Sequence, residues 1–189
     1  MNATALLDGH FGEFTDGAEF TTRGRTITEG DLTSFSALTG DWHPQHSDAE
    51  WAARSRFSGR VAHGMLVLSY AVGLMPFDPE RVVALRGLES ATFKRPVAIG
   101  DTIRVRCRVE STRRLDDRNA LVTLSLRVVN QHGRTVALGS LHAVCRGETD
   151  RSSEASAANG ADGTASGTTD SSGAWGEDVL GLYGGEAFL

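Results

Sequence analysis

The chain has 189 residues and a formal net charge of −5, from 19 basic against 24 acidic side chains. That length fits one domain with room for a tail, and the acidic balance excludes a generic nucleic-acid binder. Its longest apolar stretch, residues 61–77, is broken by His63, Ser69 and Pro76 and falls short of the ~20 residues a bilayer span needs. No basic segment followed by an apolar one opens the chain, so no secretory leader is expected and a cytoplasmic location is.

Residues 1–23 are mixed, with Phe11, Phe14 and Phe20 among glycines and acids, and read as a segment packed on the domain that follows. From residue 24 the periodic apolar pattern begins. Thr28 precedes Asp31 by three, a capping-box-like start. Leu32, Phe35 and Leu38 follow at helical spacing, and Gly40 closes the helix. Ser47 and Glu50 form a second such box, opening a short helix that runs through Arg54. Val61 to Leu74 is apolar on nearly every side, the pattern of a helix buried all round.

The rest reads as extended chain. Val82 to Phe93 is a strand ending before Pro96. Thr102 to Glu110 alternates Ile103, Val105, Cys107 and Val109 with Arg104, Arg106 and Arg108, a half-buried strand with a basic outer face. Leu121 to Val129 alternates in the same way, Asn130-Gln131-His132-Gly133 is a hairpin signal, and Arg134 to Arg146 returns. Cys107 and Cys145, both in strand-like surroundings, are read as buried reduced thiols; no cysteine spacing points to a metal. Helices first and antiparallel strands later predict an α+β fold, a curved sheet wrapped around one apolar helix. Residues 24–148 form that domain. Residues 149–174 carry Ser, Gly, Ala, Thr and acids without a large apolar side chain, the composition of a flexible linker. Apolar residues return in 175–189, a tail motif that could seat on a partner enzyme or carrier protein.

Chemistry concentrates between Gly40 and Gly64. Asp41, His43 and His46 stand within six residues and are stiffened by Pro44, so an acid and an imidazole five apart can grip one water. Gly64 opens the apolar helix, where bare backbone N–H groups can meet developing negative charge.

The segments Gly40-Asp41-Trp42-His43-Pro44-Gln45-His46, Phe57-Ser58-Gly59-Arg60-Val61-Ala62-His63-Gly64-Met65-Leu66 and Phe93-Lys94-Arg95-Pro96-Val97 resemble the MaoC-like dehydratases. That family includes the (R)-specific enoyl-CoA hydratases. The resemblance covers about residues 11–147 and implies the hot-dog fold, normally a homodimer joined sheet edge to edge. It implies reversible hydration of a trans-2-enoyl thioester, with CoA or phosphopantetheine as substrate carrier and no metal or redox cofactor. The family's hydratase motif places its catalytic Asp on Asp41 and its His on His46, its oxyanion glycine on Gly64, and an active-site Ser of some members on Ser69. Where that motif has Asn, this chain has His43, a bulkier side chain whose ring nitrogens can also donate or accept. His43 and His63 are further substrate-binding candidates, although His63 also suits a structural bond to the loop before Gly64. Ser69 equally suits a bond to a helical carbonyl one turn back. Arg54, Arg56, Arg60, Lys94 and Arg95 flank the motif and could meet the carrier's phosphates.

Overall fold

The computed structural model describes residues 16–146. The linker and tail expected over 149–189, and most of the segment expected over 1–23, lie outside those residues.

The elements follow in the order β1 (Glu19–Thr21), β2 (Arg25–Thr26), α1 (Glu29–Thr39), α2 (Pro44–Ser47), α3 (Ala49–Arg54), α4 (Gly64–Gly73), β3 (Val82–Phe93), β4 (Thr102–Arg114), β5 (Asn119–Val129) and β6 (Thr135–Arg146). Every strand pair is antiparallel, and the sheet runs β1-β4-β5-β6-β3, with β2 also pairing with β4. The long strands carry the expected alternation. Ile103, Val105, Cys107 and Val109 are buried while Arg104, Arg106 and Arg108 are exposed, and Val122, Leu124, Leu126 and Val128 are buried on β5. These side chains form one core with Leu66, Val67 and Ala71 of α4. Register shifts interrupt β3 three times and β4 once. Bulges of this kind bend strands and increase twist, which curves a sheet around a helix. The hairpin over 130–133 forms as expected, with Gly133 at φ +71°, where a Cβ would be strained. Burial holds both thiols protonated, pushing Cys107 up to about 12 and Cys145 to about 11.

The helices differ from expectation in instructive ways. α1 is capped by Thr28, whose hydroxyl accepts from the Asp31 N–H while the Asp31 carboxylate accepts from the Thr28 N–H, and Gly40 closes it at φ +77°. Its buried side is Leu32 and Ser36, however, and Leu38 is 83% exposed. The short helix at Trp51 is capped by Asp48, which accepts from the Trp51 N–H. Ser47 instead ends α2, its hydroxyl donating to the Trp42 and His43 carbonyls. α4 starts at Gly64, three residues later than expected, because Val61 bridges Ala98 and the Ala62 N–H donates to the Val97 carbonyl. Nor is α4 covered on every side: Leu66, Val67, Leu68 and Ala71 are buried, but Met65 and Ser69 are exposed. Two short pieces, β1 and β2, were not expected at all; β1 buries Phe20 and so packs the end of the N-terminal segment onto β4. Among the described residues no helix is long and apolar enough to cross a membrane.

Candidate active site

The seam at Val61 builds the site. Its N–H donates to the Gln45 carbonyl at 3.1 Å, and its own carbonyl accepts from His46 Nδ1 at 2.6 Å. One extended residue thereby ties the α2 turn to the entrance of α4. Pro44 occupies the first turn of α2, where its missing N–H costs nothing, and His43 caps that turn by accepting the Gln45 N–H on Nδ1. His46 is thus carried inward and buried.

Its protonation follows from its partners. A carbonyl only accepts, so the Nδ1 facing Val61 bears the proton and Nε2 presents a lone pair, into which the Gln45 amide donates at 2.9 Å. Burial lowers the His46 pKa below its usual value. The Val61 bond and Asp41 oppose that shift, and the nearby His63 and His43 add to it. At neutral pH the ring is therefore a neutral acceptor.

Asp41 sits on the exposed loop after α1 and accepts the His43 N–H at 3.2 Å. A carboxylate oxygen of Asp41, a nitrogen of His46 and a nitrogen of His63 lie within 4.8 Å of one another. A span of that size is one that a single water, hydrogen-bonded to each side, can bridge. These donor types also serve metals. The His46 and His63 rings are stacked, 3.8 Å apart and inclined by 25°.

Beside this cluster opens a cavity of about 270 Å³, lined by His46 and Gln45, by Gly64 and Val67 of α4, and by Phe93 and Lys94 among others. Gly64 is the first residue of α4, so its N–H has no intrahelical acceptor. A Cβ built there would lie 2.8 Å from the Phe93 ring, so a glycine is needed for the ring to close over the helix end.

The remaining expected residues divide. Arg56, Lys94 and Arg95 line the cavity. Arg60 is instead ion-paired with Glu29, and Arg54, the last residue of α3, is not among the lining residues. His43 is exposed, caps α2 and stands edge-on to Trp51. Ser69 lies outside the cavity: its hydroxyl donates to the Met65 carbonyl at 2.8 Å, the duller of the two readings its position allowed. His63 is buried, makes its hydrogen bonds to the Asp41 carbonyl and Ser36, and is not among the residues lining the cavity. Sequence reasoning missed Gln45 and Phe93 as parts of the site. Gln45 lies inside the motif and could have been flagged as the only amide beside His46; nothing in sequence marks Phe93.

A family model for the MaoC like domain matches residues 13–131. The chain belongs to that family. It is 32% identical over 109 residues to the (R)-specific enoyl-CoA hydratase of Aeromonas caviae, a match covering 58% of this chain and 79% of that protein. It is 42% identical over 98 residues to Protein MaoC of Klebsiella aerogenes, but that match covers 51% of this chain and only 29% of the longer protein. A solved R-hydratase from Pseudomonas aeruginosa superposes with a TM-score of 0.60 at 30% identity, covering 74% of this chain and 86% of that one. The curved sheet wrapped on α4 is the hot-dog fold.

Proposed function

We propose that this MaoC-like domain is a hydro-lyase that reversibly adds water across a trans-2-enoyl thioester to give an (R)-3-hydroxyacyl thioester. One observation carries the reading: an Asp41 carboxylate oxygen and a His46 nitrogen lie within 4.8 Å of each other, next to a cavity lined by His46 and by Gly64 at the start of α4; for Nε2 to accept from the water, the Gln45 amide that now donates to it must give way. A water between two acceptors donates both its hydrogens and turns a lone pair outward. That lone pair attacks the β-carbon as Asp41 takes a proton; the electrons shift to the α-carbon and thioester oxygen, and the Asp41–His46 pair returns a proton to the α-carbon. The Gly64 N–H stabilises the enolate-like oxygen, an interaction of the kind that lowers a barrier by ~3–4 kcal/mol. Dehydration is the same path reversed.

Arg56, Lys94 and Arg95 at the cavity suit the phosphates of a CoA or phosphopantetheine carrier. No metal or redox step is needed in this scheme. A second copy of the chain is proposed to pair along β3, an edge strand with Val83, Leu85, Leu88 and Phe93 all more than 40% exposed.

The test is hydration of crotonyl-CoA, followed by loss of enoyl absorbance, with chiral analysis of the product and a parallel assay on a crotonylated carrier protein. Formation of the (R)-3-hydroxy thioester from either carrier supports the proposal, and the faster carrier is the better candidate for the natural one. Tight binding of both esters with no turnover would replace it with a non-catalytic acyl-thioester-binding module.

A further inference from the structure

His63 is a buried imidazole that no step above uses. It is the residue before α4, yet its side chain makes no capping bond to that helix. Its Nε2 lies 3.1 Å from the backbone carbonyl of Asp41 and 3.1 Å from Ser36 Oγ. The carbonyl accepts, so Nε2 carries the proton, shared with the serine oxygen. One ring face stacks on His46, and Phe35 of α1 packs against the ring with centroids 4.9 Å apart. Nδ1 is buried and has no hydrogen-bond partner. Packing alone would favour an apolar ring here, because a buried nitrogen without a partner is costly. The bond to Asp41 is what an apolar ring would lose.

From this geometry we infer that His63 is a positioning residue for the proposed hydration: it holds the backbone of Asp41 with one nitrogen and the ring of His46 with its face, and so fixes the gap in which the water sits. A single rigid ring spans α1, the Asp41 loop and the first residue of α4, and ties the acid and the imidazole to the helix end that supplies the Gly64 amide. The inference rests on the hydratase reading for its consequence, but the coupling itself is a property of the fold. The titratable and charged groups facing His46 are Asp41 and His43 from the loop, His63 from the α4 entrance, and Arg56, Lys94 and Arg95 around the cavity. Of these, His63 alone is stacked on the ring.

Two substitutions separate the two contacts. His63→Phe keeps the stacked ring and loses the bond to Asp41; His63→Gln keeps an amide donor near the Nε2 position and loses the stack. For His63→Phe the expected result is a fall in kcat on crotonyl-CoA of ~10–100-fold, the scale of an ångström-sized misplacement, with KM within about threefold. His63→Gln should retain more of kcat. Both should move the NMR titration of the His46 imidazole upward, since a neighbouring imidazole is gone. A role confined to packing would lower Tm and leave both the titration and the kcat-to-KM split unmoved. Folded variants with wild-type kcat and an unmoved His46 titration, or with a change confined to KM, overturn the inference. Should His63→Phe not fold, His63→Gln decides by the same two readouts. A wild-type chain that turns over no enoyl thioester would sink the hydratase reading, while the His46 titration would still report whether His63 governs that ring.

Discussion

Gly64→Ala isolates the helix end from the acid–base pair, and its consequences can be worked from the structure. The new methyl would lie 2.8 Å from Cε2 and Cζ of Phe93 and 2.9 Å from Cδ2. Carbon contacts are comfortable from ~3.5 Å, so the ring must retreat by about 0.7 Å. Phe93 is 48% exposed on an edge strand and can do so. The strain should therefore stay near the low end of the ~1–3 kcal/mol of a filled core, partly offset by the better helix propensity of alanine. Tm should move by no more than a few degrees. Activity should suffer far more. Methyl and displaced ring both crowd the place where a thioester oxygen must come within ~3 Å of the amide, and losing such a donor costs ~10²–10³ in kcat. The assay is crotonyl-CoA hydration beside a thermal melt. Wild-type kcat in Gly64→Ala would refute the assignment of this amide. A second variant, Gly64→Ala with Phe93→Ala, removes the clash; if it restored full turnover, the shape of the cavity wall and not the amide would have been the cause.

Three further outcomes follow from the same structure. Lys94→Ala with Arg95→Ala should raise KM for a CoA ester several-fold and flatten its salt dependence while leaving kcat near wild type, because exposed cationic groups steer and hold phosphates without touching the reacting atoms; steady-state kinetics at two ionic strengths would show it. Burial works against the Asp31 carboxylate, but hydrogen bonds from Tyr70, Thr28 and Arg25 outweigh it and bring Asp31 down to about 2 from an ordinary 3.8. The folded state thus binds fewer protons than the unfolded one, and this stabilisation is full above pH ~4 and lost as pH falls through 2; melts of Asp31→Asn should lose that acid-limb slope and start from a lower Tm at neutral pH. His43→Asn should keep α2 capped, since Asn is among the strongest N-cap residues, whereas His43→Ala should cost ~1 kcal/mol in chemical denaturation.

Much of the fold could be read from the residues because its signals are local. The Thr28–Asp31 box, the glycine after Thr39 and the strict alternation from Ile103 to Val109 each fix their own stretch of backbone. Failures came where a distant neighbour decides. Val61 and Ala62 look helical in isolation, but the strand-like pairing with Val97 and Ala98 claims them. Leu38 keeps helical spacing from Phe35, yet the side of α1 that meets the core passes through Leu32 and Ser36, the latter bonded to His63. β1 and β2 are three and two residues long and carry no period to detect. In the site, Asp41, His46 and Gly64 were legible through their motif, and the structure brings them to one place. The stacking of His63 on His46, the closure of Phe93 over Gly64 and the outward turn of Ser69 are consequences of tertiary packing that spacing alone does not encode.

The proposed hydration requires Asp41 and His46 to act on the same water. The most direct measurement is a double-mutant cycle in kcat on crotonyl-CoA with Asp41→Asn, His46→Ala and the two combined. Groups that work as one unit are strongly non-additive, so each single substitution should lower kcat by ~10³-fold or more and the pair should be little worse than either alone. Losses that multiply, or a single variant that keeps wild-type turnover, would show that the two side chains do not share a water.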